Sequence, residues 1–125
     1  MIQGIGIDIV DVNRIRTAID AWGSHLLKKV FTDGEIQYCN SKKNPYEHYA
    51  ARFAAKEAVS KALELGWRSG FRWKDVEIRN DPSGKPGVIL YEHVKELLAN
   101  SRVFLSLSHT ERTVVAVAII EKVER

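Results

Sequence analysis

The sequence predicts an α+β fold with a mainly antiparallel sheet, and three observations carry that expectation. The first is the order of elements: a β-forming run, several helical stretches, two short strands, another helix and two final strands. The second is that residues 103–107 and 113–120 are strongly β-forming and are joined by Ser108-His109-Thr110-Glu111-Arg112, a hairpin with a polar tip. The third is that the strands are mostly sequential neighbours in hairpin-like arrangements, which pairs them antiparallel. Between the two groups of strands lies a long Ala-rich helix.

Residues 2–10, IQGIGIDIV, have the β-branched content of a strand. Alternation sends Ile5, Ile7 and Ile9 to one face and Gly4, Gly6 and Asp8 to the other. The two glycines leave a bare backbone surface that something bulky can approach closely. Gly4 and Gly6 lack the third glycine of a dinucleotide loop, and Asp8 repels phosphate unless a cation intervenes, so that reading is rejected. Asp11 or Asn13 caps a helix running to about Trp22, with Ile15, Ala18, Ile19 and Trp22 as its apolar stripe and Gly23 as its end. Arg14 and Arg16 lie off the stripe, either as a solvated face or as a docking surface for an acidic partner. A second helical stretch covers 25–30. Thr32-Asp33-Gly34-Glu35 then has capping-box spacing and opens a helix through Tyr38.

After the basic loop 41–45, Asn44-Pro45 opens the central helix, which Gly66 ends. Its alanines with Val59 and Leu65 form a broad apolar face, and Arg52, Lys56 and Ser60 fall opposite. Glu57 sits at the border and Lys61 lands inside the apolar face. The bland account of that pair is an i,i+4 ion pair with a snorkelling lysine. Further on, residues 73–79 and 88–90 read as strands around the turn-rich segment 80–87, and residues 91–100 as a helix carrying Val94, Leu97 and Leu98.

The 125 residues suit one domain, and 45% hydrophobic with 28% charged residues is ordinary globular composition. No apolar run is long enough to span a bilayer, and Asp8 interrupts the first apolar stretch, which argues against a signal peptide. Cys39 is the one cysteine and has no internal disulfide partner. The expected location is cytoplasmic. A net charge of +3 mildly favours an acidic partner.

The chain has no HExxH, CxxC, P-loop or nucleophile elbow, so nucleophilic catalysis by its own side chains is not expected. Asp8, Glu57, Lys61 and His109 remain as chemical candidates. Two carboxylates from separate elements suit Mg²⁺, which completes its shell with water and substrate phosphate, and a nearby lysine would neutralise phosphate charge. A histidine at a hairpin tip is equally a turn residue. A basic nucleic-acid-binding module and a Mg²⁺-dependent nucleotide phosphohydrolase are the rival functions. The first is disfavoured because the basic residues are scattered among nearly as many acids.

Three segments together resemble a known family: Met1 with Gly4-Ile5-Gly6-Ile7-Asp8-Ile9-Val10, Arg52-Phe53-Ala54-Ala55-Lys56-Glu57-Ala58 with Lys61-Ala62-Leu63, and Leu105-Ser106-Leu107-Ser108-His109-Thr110. They look like the short, bacterial type of 4′-phosphopantetheinyl transferase, the holo-[acyl-carrier-protein] synthases. The segments at 31–35, 73–78 and 80–86 also match, so the likeness covers nearly the whole chain. The resemblance implies the 4′-phosphopantetheinyl transferase fold over 1–125, assembled as a homotrimer with active sites between subunits. It implies transfer of 4′-phosphopantetheine from coenzyme A to a serine of apo acyl carrier protein, releasing adenosine 3′,5′-bisphosphate, in fatty acid biosynthesis. Asp8 and Glu57 would hold Mg²⁺, and Lys61 would meet the same phosphates. His109 and Arg52 would meet the adenosine end with its 3′-phosphate, and Arg14 with Arg16 would dock the carrier protein. Glu57, directly or through a metal-held water, is the candidate to take the serine proton. Glu64-Leu65-Gly66 departs from the Gly-Thr-Gly turn usual in the family.

Overall fold

A computed structural model describes residues 1–63 and 70–123. Strand β1 (Ile2–Asp11) leads into helix α1 (Val12–Val30), followed by α2 (Asp33–Asn40) and the central helix α3 (Pro45–Ala62). A short 3₁₀ turn (Trp73–Asp75) precedes β2 (Val76–Asn80) and β3 (Pro86–Leu90), then α4 (Glu92–Leu97), β4 (Ser101–His109) and β5 (Thr113–Lys122). Every strand pair is antiparallel: one sheet has the order β1-β5-β4, and β2 with β3 forms a second. The α+β expectation holds. The departure of Glu64-Leu65-Gly66, and Gly66 as a helix end, fall outside the described residues.

Helix α3 lies across β1 and β5. The strand face beneath it is small: Ala116 and Ala118 of β5 are fully buried, and β1 offers Gly4 and Gly6. A Cβ on Gly4 would collide with the Ala62 carbonyl, and one on Gly6 with the Ala58 carbonyl. The bulky neighbour that the glycines admit is thus the backbone of the central helix. Asp8, two residues further along the same strand face, is thereby brought level with the last turns of α3. The other face of the sheet is apolar and open, with Ile5, Ile7 and Ile9 each about 60–70% exposed.

Asp11 caps α1 by accepting a hydrogen bond from the Asn13 amide at 2.8 Å. Gly23, with φ 58° and ψ −139°, breaks α1 into the two stretches expected from the sequence, because a residue with a Cβ is strongly disfavoured there. Ile15 and Ile19 pack inward as expected, but Trp22 is 67% exposed and does not belong to the buried stripe. The capping box at Thr32 and Glu35 forms. Asn44 makes no side-chain cap bond, and Pro45 at the first turn carries the start of α3. Residues 73–75 are a 3₁₀ turn and not part of a strand, while Leu97 of α4 is exposed and Val94 and Leu98 are buried.

The largest correction concerns α3. Arg52, Lys56 and Ser60, expected on an outward face, are all buried. The helix is covered on that side too, by α2, β2 and the 3₁₀ turn. Lys56 is fully enclosed and all three ammonium hydrogens have acceptors: Glu35 Oε1 at 2.7 Å, the Trp73 carbonyl at 2.9 Å and the Val76 carbonyl at 2.6 Å. Glu35 in turn accepts from the amides of Thr32 at 2.9 Å and Ile78 at 3.0 Å. One buried ion pair therefore fastens α2, α3 and β2 together. Lys61, expected in the apolar face, is the exposed residue of that turn.

Candidate active site

On α3, Glu57 and Lys61 are one turn apart and share a face, whereas Arg52 and Glu57 diverge by roughly 140° around the axis at roughly 100° per residue. The helix accordingly presents two different polar surfaces. The sequence-derived candidates divide between them.

On the first surface, Lys61 Nζ pairs with Asp8 Oδ1 at 3.0 Å and also donates to the Ile7 carbonyl at 3.2 Å. The lysine's ion partner is thus the strand aspartate, where the sequence suggested Glu57. Asp8 and Glu57 line one cleft of about 430 Å³ with Asp11, Arg14, Ile15 and Phe53. Burial and the Asp8 charge push the Glu57 carboxyl above its ordinary value, and Lys61 only partly offsets them. Two carboxylates and one ammonium leave this cluster short of positive charge. A divalent cation with oxygen ligands would correct that, and its remaining positions would fall to water or phosphate. The residues fit Mg²⁺, although among the described residues no third acidic, histidine or cysteine ligand joins them.

The second surface faces a cleft of about 320 Å³ lined by Tyr38, His48, Arg52, Asn80, His109 and Thr110 among others. Arg52, only 4% exposed, donates from Nη2 to Asn80 Oδ1 at 2.8 Å and lies 4.1 Å from the Tyr38 ring centroid. Its buried Nε has no hydrogen-bond partner among the described residues. An arginine held in a cleft with an unpaired N–H, beside two histidines, is suited to an anionic group. His109 ends β4 opposite Val114 of β5, at the hairpin tip that the sequence placed there.

Arg14 is exposed and borders the Asp8 cleft, while Arg16 sits 4.8 Å over the Tyr46 ring and does not line that cleft. His48, Tyr38 and Asn80 line the Arg52 cleft without standing in any catalytic motif of the sequence. His48 was findable as the residue one helical turn before Arg52. Tyr38 and Asn80 reach the cleft only through the packing of α2 and β2 on α3, which no local pattern encodes.

The fold is thus a mixed α+β architecture whose central helix carries a carboxylate cleft and a cationic one. Comparison with known proteins specifies the family. Residues 4–118 match the model of the 4′-phosphopantetheinyl transferase superfamily. A holo-[acyl-carrier-protein] synthase of Chlamydia trachomatis serovar L2 is 49% identical over 118 residues, 94% of this chain and 98% of that protein. The crystal structure of a holo-[acyl-carrier-protein] synthase from Neisseria meningitidis superposes with a TM-score of 0.90 at 35% identity, covering 98% of this chain and 100% of that one. A Bacillus anthracis holo-(acyl-carrier-protein) synthase solved in complex with CoA (3′,5′-ADP) has a TM-score of 0.83 at 36% identity, covering 98% of both chains. The chain belongs to the 4′-phosphopantetheinyl transferase superfamily.

Proposed function

We propose that this chain is a holo-[acyl-carrier-protein] synthase: it transfers 4′-phosphopantetheine from coenzyme A to a serine of apo acyl carrier protein and releases adenosine 3′,5′-bisphosphate. The observation that carries the reading is the Asp8–Glu57–Lys61 cluster at the junction of β1 and α3, in a chain of this family. The attacking hydroxyl belongs to the partner protein. We take residues 1–125 as one transferase domain.

In the reaction the serine oxygen forms a bond to the β-phosphorus of coenzyme A, and the bond from that phosphorus to the bridging oxygen breaks. The electron pair leaves with adenosine 3′,5′-bisphosphate. Glu57, directly or through a metal-held water, takes the serine proton. Lys61 turns from Asp8 toward the phosphates and stabilises charge developing on their oxygens. Asp8 and Glu57 are the residues that would hold Mg²⁺, and the ion, when bound, supplies Lewis-acid stabilisation of the diphosphate. Arg52 and His109 receive the 3′-phosphate end. Arg14 borders the catalytic cleft where an acidic carrier protein bearing the serine would lie, with Arg16 further along the same helix.

The open face of Ile5, Ile7 and Ile9, continued by Phe104, is a contiguous exposed apolar surface of the kind that marks an interaction site. It supports a homotrimer in which the Asp8 cleft of one subunit and the Arg52 cleft of its neighbour bind one coenzyme A between them. No helix among the described residues is long and apolar enough to cross a membrane, and a cytoplasmic location fits the proposed substrates.

Incubation with coenzyme A, Mg²⁺ and apo carrier protein, read by intact-protein mass spectrometry, should show addition of phosphopantetheine to the carrier. Hydrolysis of coenzyme A with an unmodified carrier would favour a phosphohydrolase. Sedimentation equilibrium should give three times the chain mass, and the mass of one chain would remove the shared-site arrangement.

A further inference from the structure

Arg52 and His109 do not account for all the positive character of the second cleft. His48 lines the same cavity, half-buried, one helical turn before Arg52 and therefore on the same side of α3. Tyr38 organises this group: Arg52 lies 4.1 Å from its ring centroid, Lys42 Nζ 4.6 Å, and the His48 ring meets it edge-on at 5.7 Å. The cleft thus collects three groups that are or can become cationic, Arg52 and His48 from α3 and His109 from the end of β4, with Glu47 also on its lining and Lys42 beside it on the Tyr38 ring. Resting on the reading that this cleft takes the 3′-phosphate of coenzyme A, we propose that His48 is a further binding residue of the cleft, protonated from solvent when the phosphate monoester enters.

The surroundings of His48 explain why the proton arrives only with the ligand. Burial holds its imidazole below the ordinary histidine value, and Arg52, Lys42 and His109 add to that effect, with Glu47 alone opposing them. Without ligand His48 is mainly neutral near pH 7. A phosphate dianion reverses the sign of the local potential and favours the imidazolium. Binding then takes up a proton, so affinity must rise as pH falls toward the range in which free His48 titrates. The phosphate's second ionisation near pH 6 sets the lower limit of the useful window.

Calorimetric titration of the full-length protein with coenzyme A and with dephospho-coenzyme A, in buffers of different ionisation enthalpy, counts the protons. Between pH 8.5 and 6.5 the wild type should bind coenzyme A roughly tenfold more tightly, the scale of one charged hydrogen bond. Dephospho-coenzyme A should show little of that gain. His48→Gln should lose at least half of the proton uptake and most of the pH-dependent gain. His48→Arg, a permanent cation, should keep the affinity at pH 8.5 while losing the uptake. Wild type that binds both ligands equally would overturn the proposal together with the phosphate reading of the cleft. Discrimination between the ligands in wild type, with His48→Gln unchanged in affinity and uptake, would overturn the role of His48 alone.

Discussion

Lys56 with Glu35 and Lys61 with Asp8 are the same chemical pair, carried by one helix five residues apart, in two different settings. The first pair is 2.7 Å long with neither side chain exposed; the second is 3.0 Å long with Lys61 53% and Asp8 14% exposed. Lys56 has spent every N–H on fixed acceptors inside the protein. Burial pulls its ammonium below the ordinary lysine range while Glu35 opposes that pull. Lys61 can exchange Asp8 for another anion at little cost, since an ion pair this exposed contributes about 0–1 kcal/mol. Enclosure makes one pair architecture, and solvent access leaves the other free for chemistry.

Glu57, adjacent in sequence to Lys56 and sharing a cleft with Asp8, tests the functional side of that contrast and should show the largest effect. Glu57→Gln should lower kcat/KM by roughly 10²- to 10⁴-fold, the range of a lost general base, and Asp8→Asn should also remove most activity. Near-normal turnover in either at saturating Mg²⁺ would dismiss the metal and base assignments. The stability effect has the opposite sign. Because folding raises the Glu57 pKa, the native state binds more protons than the unfolded chain across that interval, so stability falls as pH rises through it. Thermal melts without metal should therefore find Glu57→Gln as stable as wild type or more so at pH 7, with the advantage fading below pH 4.5.

Lys56→Met tests the structural side. It leaves Glu35 buried without its cation and should destabilise the fold by about 3–5 kcal/mol in urea titration. Adding Glu35→Leu should recover only part of the loss, since the Thr32 and Ile78 amides would then lose their acceptor. A Lys56→Met protein of wild-type stability would refute the architectural role.

Lys61→Met should reverse that profile, with stability within about 1 kcal/mol of wild type and kcat reduced roughly a hundredfold. A large fall in melting temperature with little change in kcat would make Lys61 as structural as Lys56. The smallest effect is expected from Arg14→Glu, which should raise the KM for carrier protein by roughly fivefold, on the scale of 1 kcal/mol, and leave coenzyme A affinity alone. Loss of coenzyme A affinity would instead assign Arg14 to the nucleotide.

The exposure of these side chains could not be read from helical periodicity. A helical wheel assumes one wet side, and α3 has none over most of its length: the three-stranded sheet covers one flank while α2 and β2 cover another. Arg52 and Lys56 therefore looked solvated and are buried. Lys61 looked enclosed and is exposed, because β1 carries glycines where it meets α3 and an aspartate beside Lys61.

What the sequence by itself determined are the features that depend on neighbours along the chain: the strand alternation of residues 2–10, the capping box at Thr32, the break at Gly23, the hairpin that presents His109, and the motifs that mark the family. Local dihedral preferences and period-2 or period-3.6 patterning are enough for those. Tertiary structure alone decided which lysine is structural, that Lys61 pairs with Asp8, that Arg52 is buried against Asn80 and Tyr38, and that His48 shares its cleft. Each depends on the dielectric environment and on partners more than ten residues away, quantities set by how the layers pack.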